Sequence, residues 1–155
     1  AAGVACVNYY KEANILDNVN KVGKVLGEIL EELKEKHPCI GDVRYIGLFS
    51  SIELVKDRKT KEPLVPYGKD PEGIIGMLKA KKFMTYSHEN MIFVNPALII
   101  TEEQLREEMV KVDEVLGDGG RYCIGRRSAR RRKRYYQLVG RCIEYSRTHC
   151  YSDSV

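Results

Sequence analysis

The chain of 155 residues has no tryptophan, only three phenylalanines and five prolines, and no apolar run approaching the roughly 20 residues that cross a bilayer. The last absence removes a helical membrane span. The N-terminus also lacks the basic, apolar, small-residue succession of a signal peptide. A cytoplasmic protein without membrane contact is the expectation. The five cysteines, Cys6, Cys39, Cys123, Cys142 and Cys150, are odd in number and show no CxxC spacing. A disulfide framework or a zinc site needs paired or clustered ligands, so free thiols and no metal are expected.

A hydrophobic content of 43% suits an ordinary globular domain. The net charge of +4 conceals a division along the chain. Residues 1–116 hold 16 Lys and Arg against 19 Asp and Glu, whereas residues 117–155 hold 10 against 3. The basic residues change from 13 Lys and 3 Arg in the first stretch to 1 Lys and 9 Arg in the second. These are read as two units, a body over 1–116 and an Arg-rich tail over 117–155.

In the body, Val22, Val25, Leu26, Ile29, Leu30 and Leu33 recur at spacings of three and four, which makes one face of an amphipathic helix. His37-Pro38 ends it, because proline disfavours a helical residue before it. An earlier helix over about Ala1–Lys11 starts without an N-cap, as in a chain cut from something longer. Between Val43 and Val55 the period becomes two. One strand is predicted, with Ile46, Leu48, Ile52 and Leu54 on the inner face and Gly47 marking a bulge or the close approach of another backbone.

Lys56–Glu62 with Pro63 and Pro66 reads as a loop, and Asp70-Pro71 as the N-cap and first position of a short helix through Leu78. Phe83–His88 and Met91–Asn95 form a predicted hairpin around Glu89-Asn90. Thr101 and Gln104 have the spacing of a capping box, opening a helix that Gly117-Asp118-Gly119-Gly120 would stop near Leu116. This order predicts an α+β fold, with helices packed on a small, mainly antiparallel sheet.

Four segments, in this order and spacing, resemble the C-terminal small domain of class III pyridoxal-phosphate-dependent aminotransferases over residues 1–116. They are Ala1-Ala2-Gly3-Val4-Ala5; Tyr9-Tyr10-Lys11-Glu12-Ala13-Asn14; Gly41-Asp42-Val43-Arg44-Tyr45-Ile46-Gly47-Leu48 leading into Ile52-Glu53-Leu54-Val55; and Asn95-Pro96-Ala97-Leu98-Ile99-Ile100-Thr101-Glu102-Glu103-Gln104-Leu105. The sequence departs from the family's usual second proline at Ala97 and its common glycine at Tyr45.

The resemblance implies a fragment of a homodimeric transaminase that passes an amino group from an ω-amino acid or amine, a taurine-like donor among them, to a 2-oxo acid. Its Schiff-base lysine, its pyridine-facing carboxylate and its phosphate cup would lie in a large domain, so no catalytic or cofactor-binding residue is expected among these 155, and the isolated chain is expected to be inactive. An arginine that grips the substrate carboxylate in relatives aligns with His88 or Phe93, and neither position is arginine here. Arg44, His88 and Asn95 remain as substrate-adjacent candidates, each weighed against a plainer role: an ion pair for Arg44, a solvated turn residue for His88, a fixed turn for Asn95. His37 is read as a helix-end residue.

The run Arg126–Arg134, followed by Tyr135-Tyr136, fits a nucleic-acid-binding arm, since clustered cations displace counterions from phosphates. The alternative function is accordingly a small α+β module whose basic arm binds nucleic acid or an acidic surface. The preferred reading is that the tail is foreign to the fold, an out-of-frame or fused extension.

Overall fold

The computed structural model describes residues 1–123, with side chains through Asp118. The Arg-rich run lies outside the described residues, and so does the rest of the tail beyond Cys123.

Two helices open the chain, α1 (Ala2–Glu12) and α2 (Ile15–Lys36), hinged at Asn14, whose φ of 49° is left-handed. Nothing in α1 is buried. The face of α2 predicted from its periodicity is the buried one: Val22, Leu26, Leu30 and Leu33 enter the core, with Val25 and Ile29 at its margin. The helix ends at Lys36, where Pro38 forbids continuation. Its last carbonyls then need donors, and Arg58 supplies them. The Arg58 guanidinium donates to the carbonyls of His37 at 2.8 Å and Ile40 at 2.6 Å, and also to that of Lys34.

The segment predicted as one strand is two, β1 (Ile40–Ile46) and β2 (Phe49–Asp57), paired antiparallel through a two-residue turn at Gly47-Leu48. Gly47 takes φ 55°, the conformation that glycine adopts without strain. The turn resets the alternation. Val43 and Tyr45 share the inner face with Ser50, Ile52 and Leu54, which puts Ile46 outside at 78% exposure instead of in the core. The expected close approach at Gly47 is real: its backbone meets α2 at Gly23, where an added Cβ would stand 2.8 Å from Gly47 Cα, C and O. Tyr45 fits in the same way, its ring lying over Gly27.

The predicted loop after β2 contains a short strand, β3 (Glu62–Pro63), paired with Val55 and Asp57. Its turn is held by Asp57 Oδ1, which accepts from the amides of Lys59 and Thr60. Helix α3 (Glu72–Ala80) follows, but Asp70 does not cap it through its side chain. Backbone carbonyls do that work: Asp70 O accepts from Glu72 N, and Pro71 O from Ile74 N and Ile75 N.

The second hairpin is shorter than predicted, with β4 (Ser87–His88) and β5 (Met91–Val94) turning at Glu89-Asn90. Tyr86 O still accepts from Phe93 N, but Phe93 O is taken by the hydroxyl of Thr85, so a side chain replaces a ladder bond and the strand stops. The strands run in the order β1-β2-β5-β4, all antiparallel, with β3 at the side of β2.

Helix α4 (Glu102–Cys123) starts at the predicted capping box: Gln104 N donates to Thr101 Oγ1 at 3.3 Å and Thr101 N to Gln104 Oε1 at 3.1 Å. It does not stop at the glycines but runs through them, across the expected boundary at 116/117. A helical glycine costs only about 1 kcal/mol relative to alanine, which established helical bonding can absorb. Gly117 also faces the ring of His37.

Helices α2, α3 and α4 cover one face of the sheet, where Ile52, Leu54, Ile92 and Val94 meet Leu26, Leu30, Ile74, Leu78, Leu105 and Val112 in one core. The result is the expected α+β fold of two layers. Its helical layer is pinned at one end by His37, itself only 6% exposed, whose Nε2 lies 2.6 Å from Asp113 Oδ1 on α4. Lys36 Nζ donates to the other oxygen at 2.5 Å. Burial pushes the Asp113 carboxyl up, but the bonds from Lys36 and His37 outweigh it and hold the group below its ordinary range. His37 therefore does end a helix, and it also ties that end to α4.

Candidate functional site

Strand alternation places the candidate residues on the sheet face that the helices leave open. One cross-strand row on that face is Asp42, Glu53, Met91 and His88; the next is Arg44, Ser51 and Phe93, with Tyr86 beyond; the third is Ile46 and Phe49. Arg44 and His88 thus share a face, separated by the width of β2 and β5. Asn95 follows β5 at the edge of that face.

Arg44 is engaged on both sides, its Nε donating to Asp42 Oδ2 at 3.2 Å and its Nη2 to Glu53 Oε2 at 3.1 Å. Asp42 also accepts from Lys34 Nζ at 3.0 Å, and the hydrogen bond from Lys34 is the main reason that its carboxyl lies low. The same bond raises Lys34. The ion-pair reading of Arg44 is what the geometry shows: two of its donors are held by carboxylates, one on each side. The His88 side chain is exposed and hydrogen-bonds to no side chain or carbonyl among the described residues. Asn95 Oδ1 accepts from Ser50 N at 3.0 Å, while Ser50 Oγ donates to Val94 O at 2.6 Å. This fixes the turn out of β5. The loop that follows is tied to α2 by Asn18 Nδ2, which donates to Leu98 O at 2.8 Å and Ile100 O at 3.1 Å.

The sequence reading missed the aromatic character of this face. Phe93 stacks at a tilt against Phe49 and Tyr86, with ring centroids 6.3 and 5.5 Å away. The signal was available in the cross-strand pairing, but only once the turn at Gly47 had been placed. Beside the rings lies an open cleft of about 580 Å³, bounded by Thr85, Tyr86, Asn95, Leu105, Glu108 and Met109 among others.

Pyridoxal phosphate requires a lysine amine, a charged partner for its ring nitrogen and donors for its phosphate. The cleft offers the hydroxyls of Thr85 and Tyr86, the Asn95 amide and the Glu108 carboxylate, but no lysine or arginine, and no described lysine is buried. These residues do not fit the cofactor, and no chemical step passes through them. Among the described residues there is also no cluster of metal-ligating side chains, and no helix is long and apolar enough to cross a membrane.

The two-layer body is the same fold as one region of much larger pyridoxal-phosphate enzymes. It superposes with a TM-score of 0.73 and 41% identity on taurine:2-oxoglutarate aminotransferase from Bifidobacterium kashiwanohense, a structure solved in complex with PLP and glutamate, covering 77% of this chain and 27% of that one. The sequence profile of the family described as aminotransferase class-III matches residues 1–116, and the chain belongs to that family. Taurine–pyruvate aminotransferase of Bilophila wadsworthia is 38% identical over 122 residues, 74% of this chain and 26% of the relative. Ethanolamine-phosphate phospho-lyase homolog 1 of Caenorhabditis elegans is 33% identical over 119 residues, 75% and 25% of the respective lengths. The chain spans about a quarter of the length of these relatives.

Proposed function

We propose that residues 1–116 are the small domain of a pyridoxal-phosphate-dependent transaminase that takes an amino group from an ω-amino acid or amine, with taurine a natural donor, and passes it to a 2-oxo acid. The observation that carries this reading is the match along 1–116 to enzymes four times longer, two of which are named for taurine. The cofactor and the groups that activate it belong to a large domain, and the working enzyme is a homodimer. The family match ends at residue 116, although α4 itself continues to Cys123, and the Arg-rich run beyond is assigned no part in the reaction. No described residue favours the nucleic-acid reading, whose basic run lies outside the described residues.

Within this division of labour the small domain contributes binding and enclosure. Arg44, neutralised by Asp42 and Glu53, keeps β1 and β2 in register and leaves no free charge for a substrate. Asn95 fixes the turn that borders the cleft. His88 is an unengaged ionisable group on the open face, and protonated it would hold the sulfonate or carboxylate end of the donor.

The test is a chimera in which the corresponding segment of the Bifidobacterium enzyme is replaced by residues 1–118. Retained taurine:2-oxo acid transamination supports the reading, and a folded, cofactor-loaded but inactive chimera refutes it. In that chimera His88→Ala is expected to raise KM for taurine about tenfold, the worth of one charged hydrogen bond of ~1.5 kcal/mol. Unchanged kinetics would remove His88 from the substrate site.

A further inference from the structure

The open face of the sheet is divided in two. On one side Asp42, Arg44 and Glu53, with Lys34 on Asp42, form a set of ion pairs whose charges balance. On the other, Ile46 is 78% exposed, Phe49 60% and Tyr86 66%, with Phe93 packed between the two rings. Large side chains that contact one another and still face water form a patch rather than scattered surface residues, and such patches mark contact with another apolar surface. The opposite face of the same strands is already filled by α2, α3 and α4, and α1, in which nothing is buried, does not cover this face either.

We infer that the Ile46–Phe49–Phe93–Tyr86 patch is the surface on which the small domain docks against the remaining polypeptide of the enzyme, a folded apolar surface that ends where the Arg44 ion pairs begin. This rests on the proposed function. What identifies the occupant is length: the relatives carry about three quarters of their chain beyond the part matched here. The ion-paired row sets the register of the contact. Its charges are mutually satisfied, so it can border an apolar interface without leaving a buried charge unpaired.

The patch residues are exposed in the isolated chain, so replacing them leaves its own fold intact, and the cost appears only where the patch is covered. The experiment compares Ile46→Lys and Phe49→Ser in two settings, the 155-residue chain alone and the chimera described above, by thermal unfolding and by amide hydrogen exchange over β2 and β5. The expected result is an unchanged Tm for the isolated chain and a Tm lower by ~5 °C or more in the chimera. Exchange at 49–53 and 91–94 should be slower in the parent chimera than in the isolated chain. A chimera that is active but has the same Tm with or without Ile46→Lys overturns the docking assignment while leaving the proposed function standing. An inactive chimera whose patch is still protected does the reverse. Protection that appears only as protein concentration rises assigns the patch to a second copy and overturns the proposal.

Discussion

Replacing Gly23 by alanine is the sharpest test of how this fold is assembled, because helix propensity and packing predict opposite results. In an exposed helix the change would stabilise by about 1 kcal/mol. Here the new methyl would stand 2.8 Å from three backbone atoms of Gly47, where ordinary contact begins at 3.4 Å. The turn cannot rotate away, since Gly47 is held at φ 55° between the paired residues Ile46 and Phe49. Helix and hairpin must separate by about 0.6 Å, at the upper part of the ~1–3 kcal/mol typical of overpacking. The net loss is ~1–2 kcal/mol. Gly27→Ala is the control one turn along: its methyl meets only the ring of Tyr45, which is 45% exposed and free to swing out, so a neutral or slightly favourable result is expected. At about 3–4 °C per kcal/mol for a domain of this size, Gly23→Ala should melt ~4–7 °C below the parent and Gly27→Ala at or above it. Equal melting temperatures for the two variants would refute the claim that α2 and the β1–β2 turn are in backbone contact.

Three further outcomes follow from the same geometry. Asp113→Asn removes the charge that Lys36 and the buried His37 share, and should lower the unfolding free energy by ~1–3 kcal/mol in urea titrations; an unchanged midpoint would mean that the contact does not hold α4. Thr101→Ala opens the capping box and should cost about 1 kcal/mol, with amide exchange accelerated in the first turn of α4 and not in its last. For pH, Asp42 and Asp113 lie below their ordinary values when folded, so their contribution is complete above about pH 4 and disappears as pH falls through the folded values. Lys34 is raised, so its contribution is complete below about pH 10.4 and is lost as pH rises through the folded value. Urea midpoints that stay flat down to pH 2 in the parent, or that match between the parent and an Asp42→Asn variant at every pH, would contradict this.

The helices were legible because their signals are local. The apolar spacing of α2, Pro38 after its end and the Thr101–Gln104 box each act within a few residues, and each reappears in the structure. The β1–β2 hairpin was hidden because Gly47-Leu48 is a turn inside an uninterrupted apolar run, and one count of alternation carried across it gave Ile46 the wrong face. The glycines after Leu116 misled in the opposite direction, since glycine weakens a helix without forbidding it. The site candidates were identifiable as residue types, but their grouping was not. That Arg44 and His88 share a face, and that the first is already neutralised, depends on pairings between β1, β2, β5 and β4 that no local pattern encodes. The His37–Asp113 contact likewise joins residues 76 positions apart.

Arg58 carries an implication for the order in which this chain assembles. The carbonyls of Lys34 and His37 at the end of α2 accept from Arg58, a residue just past the end of β2 and 24 positions beyond Lys34. Until that strand has paired with β1, the Lys34 carbonyl has only water and the His37 carbonyl only the amide of Ile40, so the last turn of α2 is less firmly held. Helix formation from Ile15 is therefore expected to proceed to about Leu33 and wait, the final turn and the hairpin closing together. In kinetic terms the end of a local element is timed by a non-local one, so a defect at Arg58 would slow the joining of helix to hairpin more than it would disturb either of them alone.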